Sequence, residues 1–215
     1  WSSDVCSSDL ASDLGMSGEN NEWKPVIQDK LSQQLLVPNG TMGQRWEEGK
    51  KWNLKLETED GTPIDPMLSM VESDYHVETI QFPYFDSSGD GIFERPIATR
   101  TIQLANGEEV KIATVYDLMT SQYGVQRFEH ELEATSYDDA SSKYTPAWQE
   151  QITGIKKELV TKVAKEFAQN AIDTGGRSMI IMGAGINHWF NSDTIYRSIL
   201  NLVLLCGCQG VNGGG

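Results

Sequence analysis

Residues 178–191 read SMIIMGAGINHWFN: four apolar residues, Met179 to Met182, run straight into Gly183-Ala184-Gly185 and then into Asn187, His188 and Trp189. A short uninterrupted apolar run is the pattern of a strand covered on both faces, as in a parallel sheet. On its N-terminal side Ile155, Leu159, Val163, Phe167 and Ala171 recur at every fourth position, with Val160 and Ala164 widening the stripe and Lys and Glu opposite. That spacing predicts an amphipathic helix ending between Asp173 and Gly176. Before it, Thr145 as cap, Pro146 in the first turn and Gly154 as stop delimit a shorter helix. On the C-terminal side Asp193 can cap a helix carrying Ile195, Ile199, Leu202, Val203 and Cys206. Leu200, Leu204 and Leu205 make that helix apolar nearly all round, so it is expected to be buried. Helix, strand, glycine loop and helix describe an α/β unit whose loop lies at the carboxyl end of a strand, where such sheets bind ligands.

The loop fits neither standard nucleotide motif. A dinucleotide fingerprint needs a third glycine where His188 stands, and a P-loop needs a Gly-Lys-Ser/Thr that does not follow. Gly183 and Gly185 can still let backbone N–H groups approach a phosphate or a flat heterocycle, while Asn187 both donates and accepts hydrogen bonds. A tight turn without a ligand fits the same residues. The chain has three histidines, His76, His130 and His188, and no serine or cysteine elbow, so nucleophilic catalysis finds no support.

Upstream the pattern changes. TIQLANGEEVKIATV places Asn106-Gly107 between two alternating runs, the strongest short-range hairpin signal, and predicts a hairpin at about 99–116. Residues 57–95 read as turn-rich and acidic. Within them DSSGDGIFE sets Asp86, Ser88 and Asp90 at alternate positions as in a calcium loop, but the twelfth position is Ile97 instead of glutamate, so a solvated turn is the better reading. From Trp23 to about Leu56 short apolar runs are broken by Pro38-Asn39-Gly40 and Gly43, which suggests irregular structure with short strands, Trp46 and Trp52 serving as packing anchors. The first residues repeat a Ser-Ser-Asp-aliphatic unit, and 1–10 read as a low-complexity, non-native tail. The expected division is therefore 1–10, an irregular and β-hairpin segment over 11–140, and an α/β segment over 141–215.

A formal net charge of -14 disfavours a nucleic-acid or anionic-membrane partner, which would need clustered Lys and Arg. No apolar run approaches the roughly 20 residues of a membrane-spanning helix. Cys6, Cys206 and Cys208 are too few and too badly spaced for a disulfide framework, and Cys206-Gly207-Cys208 lacks a second pair for a tetrahedral metal site.

Several stretches resemble a known family. YTPAWQEQITGIKKELVTKVAKEFAQNA, GRSMIIMGAGINHWF, YRSILNLVLLCGCQGVNGGG, TVYDL, TSYDD and VPNGTMGQRWEEGKKWNL look like the catalytic (alpha) subunits of the membrane-bound respiratory nitrate reductases, within the molybdopterin oxidoreductase superfamily. The resemblance covers residue 11 to the end. It implies a partial molybdopterin oxidoreductase fold, a molybdenum bis(molybdopterin guanine dinucleotide) cofactor, a 4Fe-4S cluster, and reduction of nitrate to nitrite with quinol-derived electrons. It also implies an iron-sulfur beta subunit and a haem-bearing membrane gamma subunit as partners, at the cytoplasmic face of the cell membrane. By the same resemblance Gly183, Gly185, Asn187 and His188 line the cofactor, His188 stands near the substrate, and Asn212, Gly213, Gly214 and Gly215 approach the cofactor too. The family's cluster ligands and molybdenum-ligating aspartate would lie upstream, making this an internal piece, about a sixth of a subunit, inactive alone. Two alternatives stay open: another oxyanion reductase (chlorate, perchlorate, selenate) or dehydrogenase of the superfamily, and a noncatalytic nucleotide-binding module.

Overall fold

The computed structural model of the chain describes residues 10–47, 50–86, 89–125, 127–132 and 134–215; for 42–52 and 84–90 it extends at most to the backbone. Cys6, Ser88, most of the Ser-Ser-Asp repeat and the side chains of Trp46 and Trp52 lie outside the described residues. The chain forms two compact units, Trp1–Thr135 with Ser142–Tyr144, and Ser136–Ser141 with Thr145–Gly215.

The first unit is antiparallel. Short strands β1 (Ile27–Gln28) and β2 (Leu35–Leu36) pair, as do β3 (Met42–Glu47) and β4 (Lys50–Trp52). A three-stranded sheet follows, in the order β5 (His76–Asp86), β6 (Gly89–Gln103), β7 (Glu109–Ile112). The Asn106-Gly107 hairpin is present, with Gly107 at φ 87° and Thr101 opposite Lys111. It differs from expectation at its far end. The ladder stops at Ile112, and Val115 opens a helix, α1 (Val115–Gln122). Thr114 caps it by accepting from the Asp117 N–H at 2.9 Å, so TVYD opens a helix and does not end a strand.

The larger correction concerns residues 57–95. Instead of successive turns, 76–86 and 89–103 form the longest ladder in the described chain, from His76 opposite Thr99 to Asp86 opposite Gly89. Pro83 and Pro96 hid it, because proline cannot donate to a ladder. Both stand where their strand has a free edge: β5 is an outer strand, and β7 covers β6 only from Arg100 to Gln103. From Arg95 to Thr99 β6 is buried at every position, and Ile97, Ala98, Ile102, Phe82, Met67 and Met70 supply apolar core.

Two buried polar networks in this unit draw hydrogen bonds from several elements. Asp117 accepts from Ser69 Oγ at 2.5 Å, Met70 N–H at 2.7 Å and Thr114 Oγ1 at 2.8 Å, while the Arg127 guanidinium donates to Ser69 Oγ at 2.9 Å and lies over the Tyr116 ring. Arg95 donates to the Leu132 carbonyl at 2.9 Å and to Ser142 Oγ at 3.0 Å, its guanidinium over the Phe93 ring.

The second unit is helical. α2 (Pro146–Thr153) begins at Thr145, whose hydroxyl accepts from the Trp148 N–H at 3.1 Å, and stops at Gly154, at φ 72°. α3 (Lys157–Thr174) carries the expected stripe and ends at Gly175, followed by a single helical turn, α4 (Ala184–Asn187), and by α5 (Ser192–Leu205). Asn191, not Asp193, precedes α5, and no side chain caps it. The α/β class holds for the chain as a whole, yet the expected parallel strand at 179–182 is not formed. A strand exists only through a ladder partner, and here the run finds one residue: the Ile180 N–H donates to the Gly215 carbonyl at 2.8 Å. Nor is α5 buried. Of its apolar residues Val203 alone is buried, while Leu200, Leu202, Leu204 and Leu205 are exposed. The unit's core is small, Ala171, Val203 and Cys208 with Phe167, Ile180 and Cys206 against them.

Candidate functional site

The glycine loop is held by the end of α3. Gly175, at φ 66°, turns the chain out of the helix, and the Gly176 N–H donates back to the Ala171 carbonyl at 2.7 Å. Ser178, buried just beyond, donates its hydroxyl to the Phe167 carbonyl at 2.9 Å and accepts from Asn170 Nδ2 at 2.9 Å. The run toward the loop therefore starts pinned to the last turns of α3. Its side chains are open further on, Ile181 being 90% exposed.

Gly183 is extended, at φ -141°, and α4 follows at once. Asn187 closes that turn and His188 ends it; both are exposed, and no hydrogen bond among the described residues engages either side chain. The Trp189 indole N–H donates to the Gly185 carbonyl at 2.8 Å, and Phe190 projects fully into solvent. Gly183, Gly185, Asn187 and His188 thus form one contiguous exposed surface. Of the closing residues, Gly215 lies against the run that leads to the loop, donating to the Ser178 carbonyl at 3.1 Å as well as accepting from Ile180. Among the described residues no hydrogen bond joins Asn212, Gly213, Gly214 or Gly215 to 183–188.

The glycines fall into two kinds. At Gly183 and Gly185 a Cβ would meet nothing among the described residues within 4 Å, and neither φ is positive, so neither backbone conformation nor packing against the described residues requires glycine there. At Gly176 and Gly214 an added Cβ would run into backbone: the Gly207 carbonyl oxygen at the first, and the carbonyl oxygens of Gly176 and Cys208 at the second.

Residues 33–215 match the molybdopterin oxidoreductase family. The chain belongs to that family. Among its relatives, the nitrate reductase alpha chain of Bacillus subtilis (strain 168) is 54% identical over 206 residues, 95% of this chain and 17% of the relative. The respiratory nitrate reductase 1 alpha chain of Escherichia coli (strain K12) is 41% identical over 96% of this chain and 17% of its own length. The perchlorate reductase alpha subunit of Dechloromonas aromatica (strain RCB) is 31% identical over 53% of this chain and 10% of its own. The chain thus spans about a sixth of the length of the nitrate reductase chains it matches.

The family implies a molybdopterin cofactor, and the loop suits its organic part: open space beside two glycines, a two-way hydrogen-bonding amide at Asn187, an imidazole at His188 and an indole beside them. No group of three or more His, Cys, Asp or Glu that could hold a metal ion occurs among the described residues. The two C-terminal cysteines are packed instead. Cys208 is fully buried with its Sγ toward the Cys206 carbonyl at 3.5 Å, and burial, with Cys208 beside it, pushes the Cys206 thiol above its ordinary value. No helix among the described residues is long and apolar enough to cross a membrane.

Asn170, Gly176 and Ser178 were missed as contributors to this region. A second glycine directly after a helix-ending Gly175 was the only signal for Gly176, since a left-handed cap needs one glycine, not two. Nothing in the local pattern marks Asn170 or Ser178.

Proposed function

We propose that this chain is part of the catalytic subunit of a respiratory nitrate reductase, and that residues 183–188, with Asn212, Gly213, Gly214 and Gly215, line its molybdenum bis(molybdopterin guanine dinucleotide) cofactor. The observation that carries the reading is the pair Gly183 and Gly185, glycines that nothing among the described residues requires and beside which a flat ligand can approach the backbone. When bound, the cofactor supplies the two-electron chemistry that takes an oxygen atom from nitrate, and the protein orients the substrate and tunes the site. Asn187 serves the polar edges of the pterin. His188 donates a hydrogen bond or a proton to an oxygen of the bound nitrate.

The relatives named for nitrate reduction match nearly the whole chain, whereas the perchlorate reductase matches about half of it, which favours nitrate over the other oxyanions. Quinol-derived electrons would arrive through a 4Fe-4S cluster of the same subunit and an iron-sulfur beta subunit, on a haem-bearing gamma subunit at the cytoplasmic face of the membrane. The 215-residue chain alone is inactive and prone to association, since its second unit exposes Leu159, Val163, Met179, Ile181, Leu204 and Leu205.

His188→Ala in the complete enzyme tests the assignment. Nitrate turnover is expected to fall about 100-fold or more, the scale of a lost general acid, with molybdenum and pterin content unchanged. Unaltered turnover would remove His188 from the mechanism, and a panel of nitrate, chlorate, perchlorate and selenate on the unaltered enzyme decides the oxyanion.

A further inference from the structure

We infer that Gly176 and Gly214 form a backbone clasp that positions the two proposed cofactor-lining stretches relative to one another, Gly214 contributing main-chain packing to the fold in addition to its place in the lining. The inference rests on the proposed role of the loop. Three segments meet at these glycines: the end of α3, the turn after α5 and the closing residues. Gly176 lies against the Gly207 carbonyl and a Val211 methyl, and Gly214 lies against the carbonyls of Gly176 and Cys208. At each contact the missing Cβ is what lets main chain approach main chain. The contacts interlock, because Gly176 belongs to both.

Hydrogen bonds on either side fix the register. Cys208 N–H donates to the Val203 carbonyl at 2.9 Å and Gly214 N–H to the Val211 carbonyl at 2.9 Å, while Gly215 and the 178–180 run exchange the two bonds described above. Ser178, tied to Asn170 and Phe167, anchors the same junction to α3. The run that leaves this junction reaches Gly183 within a few residues. A displaced Gly214 therefore shifts Gly215 and Ile180 together, and with them the entry to the loop.

Gly214 is the cleaner probe of the two. Its φ is not in the left-handed region, so alanine there meets only the steric conflict, whereas Gly176, at φ 93°, would add backbone strain. Ser178→Ala loosens the same junction by deleting a hydroxyl, with no clash.

The experiment compares Gly214→Ala, Ser178→Ala and Gly183→Ala in the full-length subunit, prepared both without cofactor and as the assembled enzyme. Amide hydrogen exchange of the cofactor-free subunit at Ile180 and Gly215 reads the clasp; bound molybdenum, released pterin and the paramagnetic molybdenum signal of the assembled enzyme read its consequence. Gly214→Ala is expected to speed exchange at both amides by tenfold or more and to alter the metal signal or lower cofactor content. Ser178→Ala is expected to do the same to a smaller degree, and Gly183→Ala to leave exchange of the cofactor-free protein unchanged. Exchange unaffected by both Gly214→Ala and Ser178→Ala overturns the clasp. Faster exchange with intact cofactor content and an unaltered signal overturns the positioning role. The reading of the loop fails separately, if Gly183→Ala leaves cofactor content and signal untouched. Should Gly214→Ala not accumulate as folded protein, the Ser178→Ala result decides both questions.

Discussion

The two units use their apolar and polar residues in opposite ways. In the first, even charged groups are buried: Asp117, Arg95 and Lys24 sit inside with hydrogen-bonding or ionic partners, and β6 is covered from Arg95 to Thr99. In the second, strongly apolar helices stand largely open, and three buried residues make the core cluster. An apolar stripe along a helix records the surface that must be covered, not the surface that a given stretch of chain can cover. The first unit buries a core of its own around β6, although Leu31, Ile92 and Val115 stay exposed. The second is patterned for a core larger than these residues supply, in keeping with a chain that spans about a sixth of its relatives' length.

That contrast can be broken most severely at Asp117. Replacing it with alanine strands donors of Ser69, Met70 and Thr114 inside the first unit, and is expected to cost about 3 kcal/mol or more in urea unfolding of the chain. A cost under about 1 kcal/mol would mean that the network is ornamental and the contrast overstated.

Truncation of apolar side chains sharpens it next. Ile97→Ala, at a position 1% exposed, should lose about 3 kcal/mol, whereas Leu204→Ala, at 60%, should stay within about 0.5 kcal/mol. Equal costs in the same denaturation experiment would show that α5 is covered after all.

Thr145→Ala tests whether the second unit's helices depend on local signals where tertiary cover is thin. Loss of the cap to Trp148 N–H should cost about 1 kcal/mol, read as reduced helical circular dichroism on heating. No change would place the helix boundary under tertiary control.

The smallest effect concerns acid. Hydrogen bonds to Asp29, first from the Ser32 N–H at 2.7 Å and the Ser32 hydroxyl at 2.7 Å, then from the Asp65 N–H at 2.9 Å, hold its carboxyl below the ordinary value of 3.8. Because the folded value is the lower one, the stabilisation is present above 3.8 and is lost as pH falls through the folded value. Asp29→Asn should therefore flatten the acid limb of a stability-against-pH curve and lower the plateau at neutral pH. An unchanged acid limb would assign acid sensitivity to other carboxylates.

Sequence alone determined what local physics controls. Thr145, Pro146 and Gly154 bounded α2 because a hydroxyl cap, a fixed φ and a left-handed stop act within one turn of helix, and Asn106-Gly107 set a hairpin because its turn geometry is local. Gly183, Gly185, Asn187 and His188 were legible as a loop with binding chemistry, and the structure keeps them together and exposed. Tertiary structure decided the rest. Whether Met179 to Met182 becomes a strand depends on a partner strand, which no local pattern supplies. Whether Pro83 and Pro96 break a ladder depends on which edges are free. Whether a glycine is needed for its neighbours or for a ligand depends on what stands within 4 Å of its absent Cβ, and residues distant in sequence, Gly176, Cys208 and Gly214, answer that only when folded against each other.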